Sequence, residues 1–352
     1  MFGKLEQTAK DVITIQNHIP LQILEQWPYV LVFKTTHWCW NNCTHCCESS
    51  GPKQPKNFIP ESVITSYVDQ SSADTKFSHA IVFTGGEIMS AYKFATPGYV
   101  PNILNHALNT GNGVDIKTNA GWTGTQIAPQ VFNDIEQLVK KRAPKEKLSF
   151  RSVIPFQVSL SLDRFHKNAM ERDFKFIEHF AKTDMNGASF TIHITSFAND
   201  RAMFSELLGK LQNAGLSVCE LCAFGSDGEA SNPIFDINDN IIIKYSEGAL
   251  FDGGRAENIN GARHSEMPQF QFATPNQEVL VAFDSFGNVT LGENSGKKIS
   301  VPWRDNQGEP RPLADIRADL VAATQAAEQE YLNQHRALNW YFNQVRKKTV
   351  KK

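Results

Sequence analysis

Six short, β-rich apolar runs alternate with longer stretches of helical periodicity along this 352-residue chain. The runs are Tyr29–Thr35, Ala80–Gly85, Val114–Asn119, Phe156–Asp163, Ser189–Phe197 and Ser217–Phe224. Helical patterns fill the gaps. One opens at Pro60–Glu61, with proline at or near a first turn; others cover about Val100–Asn109, Thr125–Arg142, Asn168–Thr183 and Arg201–Ala214, with Gly215 placed as a C′ residue. Parallel strands need long crossovers, usually helices, so this order predicts βαβ units around a parallel sheet. Six units fall short of the eight that close a full barrel. The expected fold class is α/β, a partial (β/α)6 barrel with a small α+β C-terminal subdomain. In open or closed versions, ligands gather at the C-terminal ends of the strands.

After about residue 225 the pattern changes. Gln277–Glu293 reads as a β-hairpin with Ser-Phe-Gly-Asn at its turn, and Pro312–Val345 as helix, in one piece or two. The expected organisation is an N-terminal extension over 1–28, a core over 29–225, and a subdomain over 226–352.

Hydrophobic residues make up 41% of the chain, enough for a sizeable core, and net charge is only −2, so nothing global points to nucleic acid or an anionic membrane. The basic tail Val345–Lys352 reads as a solvated terminus. The first residues carry charges where a signal peptide needs an apolar stretch. No run approaches the length of a transmembrane span. A cytoplasmic setting is expected, where thiols stay reduced and clustered cysteines read as metal or redox sites.

Such a cluster follows the first strand directly. Cys39, Cys43 and Cys46 are spaced C-x3-C-x2-C. Three thiolates on a tight loop can hold three irons of a [4Fe-4S] cube, leaving the fourth iron open for a ligand. Cys47 is a poor fourth ligand, because adjacent side chains diverge. Zinc is the alternative, with His37 or His45 completing a Cys3His set. The second strand ends in Gly85-Gly86-Glu87. The glycines permit close backbone approach, and the carboxylate can accept from an ammonium group.

The loop and the Gly-Gly-Glu turn together resemble the radical SAM superfamily, over about residues 29–225. The resemblance implies a site-differentiated [4Fe-4S] cluster on Cys39, Cys43 and Cys46, with S-adenosyl-L-methionine on its open iron. Gly85, Gly86 and Glu87 would contact the methionine ammonium. His45 stands where the family usually has a large aromatic near the adenine. Ser161, Leu162 and Asp163 match a Ser-Leu-Asp that often touches the cofactor, and Thr118-Asn119 a Thr-Asn-Gly near cofactor or substrate. The competing reading of Asp163 is a helix cap, and of Thr118-Asn119 ordinary turn chemistry.

Cys219 and Cys222 lie on the expected sixth strand, where residues three apart face opposite ways and do not easily share a metal. The default is a buried inert cysteine. The sharper reading makes Cys222 a hydrogen-atom donor to a substrate radical, as in epimerases of this superfamily. Gly254-Arg255-Ala256, the hairpin and the entry to the last helix resemble a SPASM or twitch extension, yet no cysteine follows Cys222. Auxiliary clusters are thus not expected, which favours redox-neutral chemistry. The resemblance implies an enzyme abstracting hydrogen from a C–H bond of a natural-product precursor, a peptide or polar small molecule, with epimerisation preferred. An oxidative, cross-linking peptide maturase and a non-catalytic metal-binding protein are the alternatives. A flavodoxin- or ferredoxin-type reductant is implied. The short segment before the first strand leaves no room for a fused leader-binding domain, so a peptide substrate would need a separate recognition protein or the C-terminal part.

Overall fold

The computed structural model describes residues 28–46, 48–142, 156–188, 190–197, 200–221, 233–248, 279–291 and 299–334. Five strands follow the expected order: β1 (Tyr29–Thr36), β2 (Phe77–Gly85), β3 (Gly113–Thr118), β4 (Phe156–Ser161) and β5 (Phe190–Phe197). Helices α1 (Glu61–Ser72), α2 (Tyr99–Asn109), α3 (Ala128–Arg142) and α4 (Ala169–Lys182) connect them, and α5 (Arg201–Asn213) follows β5. Each of β1 to β5 pairs in parallel with the next. The class is therefore α/β with a parallel core, as the alternation predicts.

The sixth parallel position differs from expectation. It is filled by β8 (Ile241–Gly248), which pairs in parallel with β5 along its whole length. The cysteine-bearing strand β6 (Val218–Leu221) lies at the outer edge, joined to β8 through the antiparallel β7 (Ile234–Ile237). Asn238 and Asp239, both at positive φ, make the turn from β7 to β8. Paired residues of that kind build a tight hairpin, so β7 and β8 form as a unit and dock together.

The expected hairpin is present as β9 (Val279–Asp284) and β10 (Asn288–Leu291), with β11 (Ser300–Pro302) beside it. It also extends the main sheet, because β9 pairs in parallel with β1. Helix α6 (Leu313–Gln334) follows. The buried Tyr67 hydroxyl of α1 donates to the carbonyls of Trp303 (2.9 Å) and Arg311 (3.0 Å), tying this C-terminal segment to the first crossover.

Strand side chains alternate between two faces. One face meets the helices: Leu31, Phe33, Ile81, Phe83, Val114, Ile116, Val158, Leu160, Ile192, Ile194, Ile241 and Ile243 form one buried core with helix residues such as Ile103, Ile135, Phe176 and Leu207. Burying each large side chain contributes about 1.5–3 kcal/mol. The opposite face has a small apolar patch near β1, where Val30, Val32 and Ala282 pack with Ala80, Val82 and Leu280. Across β3, β4, β5 and β8 that face carries polar groups. Among the described residues no helix is long and apolar enough to cross a membrane.

Candidate active site

All of β1 is buried, and its last residue delivers the chain into the cysteine loop. The loop closes on itself at its root: Cys39 N donates to Gly51 O (3.3 Å) and Gly51 N to His37 O (3.2 Å). The turn after β2 lies directly against this root. Gly86 N donates to Thr36 O at 2.6 Å and Glu87 N to Trp38 O at 2.9 Å. A Cβ on Gly85, whose φ is +117°, would stand 2.4 Å from Thr36 O; one on Gly86 would stand 2.1 Å from Trp38 O. Both positions therefore exclude any side chain. The two motifs, about forty residues apart in sequence, are locked backbone to backbone.

The sulfurs are met by N–H donors. Cys39 is buried and accepts from Asn41 N and from the side-chain amide of Asn119, each at 3.3 Å. Half-buried Cys46 accepts from Ser50 N at 3.3 Å. Cys43, also half-buried, is hydrogen-bonded to His166. Cys47 lies outside the described residues. Burial first, then the charges of Glu87, Cys43 and Cys46, push the Cys39 thiol up to about 12, against a lowering bond from Asn41. A bound cation reverses that balance, which is how thiolate sites couple metal to deprotonation.

The donor set also speaks to nuclearity. Tetrahedral zinc with sulfur at 2.3 Å needs sulfurs about 3.8 Å apart. Among the described residues, only His45, Asp163 and His166 form a group of three with donor atoms all within 4.8 Å of one another. The three cysteines are spread more widely, as the corners of a cube require and a single ion does not. The site's residues thus fit a cluster.

Glu87 sits beneath the loop and is fully buried. Its carboxylate accepts from Thr118 Oγ1 (2.8 and 2.9 Å), Met89 N (3.1 Å) and Asn119 N (3.1 Å). Burial pushes its pKa up to about 7, although these bonds and Arg172 act to lower it. Thr118 also accepts from the Trp122 indole at 3.1 Å. Thr118-Asn119 is therefore more than a turn: one residue holds Glu87, the other holds both Glu87 and Cys39.

At the end of β4, half-buried Ser161 lies at the same edge. Asp163 Oδ1 accepts from Phe165 N (2.9 Å) and His166 N (3.1 Å), and Oδ2 pairs with His166 Nδ1 (2.8 Å). The capping expectation for Asp163 is met in a local turn, not at α4, whose N-cap is Asn168. Burial opposes ionisation of Asp163, yet His166 holds its pKa below the usual carboxylate range. Burial opposes the charge on His166 as well, but Asp163 and Cys43 hold it up, at about 9. His45 stacks on Phe165 (4.9 Å) and meets His166 (4.6 Å) and Phe197 (5.5 Å) edge-on. Trp38 is buried edge-on against Trp40 (5.1 Å) and Phe94 (4.7 Å), beside the loop.

Cys222 lies outside the described residues. The expectation that its strand occupies the sixth parallel position is corrected by the sheet order, and Cys219 is exposed on that edge strand. Two residues that carried no signal of their own in the sequence also reach the site. Arg172, on α4, keeps Nε and Nη2 buried without a hydrogen-bond partner, and its Nη1 approaches Gly121 beside Asn119. Its neighbour Asp173 is fully buried with neither oxygen bonded, and burial raises its pKa well above the carboxylate range. In sequence they resemble any solvated helix pair.

Together these features define an α/β protein with a three-thiol loop and a buried carboxylate at the C-terminal edge of its parallel strands. No family model and no curated protein matches the chain. Among solved structures it is similar to Streptococcus suis SuiB bound to S-adenosylmethionine, at 13% identity and TM-score 0.37, over 82% of this chain and 64% of that one. SuiB bound to its precursor peptide SuiA is matched at 13% identity and TM-score 0.36, with the same coverage of the two chains. The protein anSMEcpe, with bound AdoMet, is matched at 14% identity and TM-score 0.34, over 53% of this chain and 49% of that one. The chain thus spans less than two thirds of the length of each.

Proposed function

We propose that this chain is a radical SAM enzyme, with Cys39, Cys43 and Cys46 holding three corners of a [4Fe-4S] cluster and S-adenosyl-L-methionine at the fourth. The observation that carries the reading is the joint between the cysteine loop and the Gly-Gly-Glu turn. Gly85 and Gly86 admit the loop's carbonyls, and Asn119 bonds Glu87 and Cys39 at once. A chance pair of short motifs has no reason to be joined through one asparagine. The spread of the cysteines supports a cluster over zinc. When bound, the cluster and cofactor supply a 5′-deoxyadenosyl radical that takes hydrogen from a substrate C–H bond.

The chain's own groups then have these roles. Asn41, Ser50 and Asn119 orient and stabilise the thiolates through N–H···S bonds. Glu87 fixes the turn whose backbone and carboxylate border the cofactor's ammonium. Arg172, with two unpartnered nitrogens, is suited to the cofactor's carboxylate. His45 offers a flat face for the adenine, and Ser161 and Asp163 line the same edge.

The substrate is read as a natural-product precursor, peptide or polar small molecule, with a flavodoxin- or ferredoxin-type reductant. A redox-neutral outcome such as epimerisation is preferred because no cysteine follows Cys222 to hold an auxiliary cluster. Anaerobic reconstitution with iron and sulfide tests the proposal. The expected result is a brown protein with about four irons that releases 5′-deoxyadenosine when reduced in the presence of S-adenosylmethionine. A colourless protein holding one zinc, with the cofactor left intact, overturns it.

A further inference from the structure

Beside the cysteine loop the surface carries positive charge that the cluster reading does not use. Residues 49–60, which leave the root of the loop at Gly51, contain Lys53 and Lys56 and no acid. Residues 88–98, which follow the Gly-Gly-Glu turn, contain Lys93 and no acid. All three lysines are exposed. Lys56 Nζ lies 4.3 Å from the centre of the Phe94 ring, and Lys93 Nζ 5.4 Å from the same centre. The two ammonium groups therefore stand within about 10 Å of each other, one Debye length at about 0.1 M salt. Lys53 precedes Lys56 by three residues, at most about 11 Å along the backbone. An approaching charge meets all three together.

Several lysines of the helices carry their own counter-ion. Lys140, Lys175 and Lys182 each pair with a glutamate four residues earlier, at 2.6, 3.5 and 2.6 Å. Lys53, Lys56 and Lys93 have no ion pair among the described residues, and the acids that flank their segments are engaged elsewhere. Glu48 pairs with Lys34 at 2.6 Å, Glu61 accepts from the Asn102 side chain at 3.3 Å, and Glu87 is buried beneath the loop. In a chain of net charge −2 this is a local excess of positive charge. The ring that gathers the lysines also reaches the cysteine loop. Half-buried Phe94 packs edge-on against Trp38 at 4.7 Å, and Trp38 immediately precedes Cys39. Packed rings thus run from the lysines to the neighbour of a cysteine ligand.

We propose that Lys53, Lys56 and Lys93, set around Phe94, form the docking surface for an acidic protein that carries a one-electron donor. This rests on reading the loop as the seat of a cluster that must be reduced, and it says where the reductant binds. Electron-transfer partners meet over small interfaces, below about 1,200 Å², so three lysines around one ring are sufficient in scale. Phe94 gives the apolar contact, and the ammonium groups steer and orient an acidic partner as it arrives. The carrier loses one electron as the cluster gains it, and no covalent bond forms or breaks.

The test uses the full chain and two probes, an acidic ferredoxin and an acidic flavodoxin. Contact is read first, by carbodiimide coupling of lysine to carboxylate and mass spectrometry of the joined peptides. The expected result is coupling concentrated on Lys53, Lys56 and Lys93, fading as chloride is raised. Release of 5′-deoxyadenosine by the anaerobically reconstituted chain is then driven by each reduced carrier and, separately, by dithionite. The Lys53→Glu/Lys56→Glu/Lys93→Glu variant should lose at least tenfold of the carrier-driven rate at low salt and keep the dithionite-driven rate. Coupling centred on other lysines, no coupling with either carrier, or an undiminished carrier-driven rate in that variant overturns the proposal. If the triple variant does not fold, Lys56→Gln/Lys93→Gln decides the matter: undiminished coupling and rate there overturn the proposal equally. An oligoglutamate peptide that competes as well as the carriers at equal concentration makes the occupant an acidic peptide and overturns the assignment to an electron carrier. Coupling needs no bound cluster. Its failure leaves dithionite-driven release standing, and failure of that release leaves the docking surface standing.

Discussion

Asn119 donates its side-chain amide to the sulfur of Cys39 across 3.3 Å while its backbone N–H donates to Glu87 at 3.1 Å. The end of the third strand is thereby fastened to the loop after the first and the turn after the second. Hydrogen bonds to cluster sulfurs are one of the levers on reduction potential. Asn119→Ala removes the amide and keeps the backbone bond. Its reconstituted cluster should have a more negative midpoint potential than wild type, and the fold should lose about 1 kcal/mol. An EPR-monitored redox titration reads the first and a urea melt the second. An unchanged midpoint would mean that Cys39 is not a ligand in this setting.

The glycines of the turn make a contrast within one protein. Gly86→Ala puts a methyl 2.1 Å from Trp38 O, a backbone atom that cannot swing aside. It should cost about 1–3 kcal/mol or more, in the range of overpacking. Gly209 lies inside α5, and an added Cβ there meets nothing within 4 Å. Gly209→Ala should stabilise by up to about 1 kcal/mol through helix propensity. Equal thermal midpoints for the two variants would refute the close packing of loop on turn.

What the sequence made legible was local. The boundaries of β1 to β5 and of the intervening helices fall within a few residues of the periodicity, because each element buries one face against the next. The cysteine loop and the Gly-Gly-Glu turn lie where strand ends put them. The place of β8 was missed although Ile234–Ile237 and Ile241–Gly248 flank an Asn-Asp pair of the hairpin kind, a signal present in the residues themselves. The pairing of β9 with β1 had no such signal. It joins segments some 250 residues apart and depends on which edge stays open once the other strands have paired.

Glu87 gives a pH dependence whose sign can be worked out. Its carboxyl is pushed up to about 7 in the fold, against about 4.3 in an unfolded chain. Between these values the folded state holds a proton that the unfolded state has lost. Stability contributed by this group is therefore full below about pH 4 and declines as pH rises towards 7, by at most about 4 kcal/mol. Glu87→Gln cannot titrate. Urea midpoints of the cluster-free chain at pH 5 and pH 7.5 should differ less in this variant than in wild type. A larger difference in the variant would show that the carboxyl is not held protonated by burial.

Arg172 offers the sharpest separation between folding and ligand binding. Its Nε and Nη2 are buried with no acceptor among the described residues, and its charge acts on the carboxyl groups of Glu87 and Asp173. Burial opposes ionisation of Asp173, which weakens it as a counter-charge. A guanidinium in that position is costly for the empty protein and favourable once a carboxylate accepts its two free N–H groups. Arg172→Gln should therefore leave the urea midpoint of the cluster-free chain equal to or above wild type. The same variant should bind S-adenosylmethionine at least tenfold more weakly, about 1.4 kcal/mol, as measured by anaerobic calorimetry on reconstituted protein of matched iron content. If affinity holds and the fold weakens instead, Arg172 is a structural cation, and the cofactor's carboxylate has another partner.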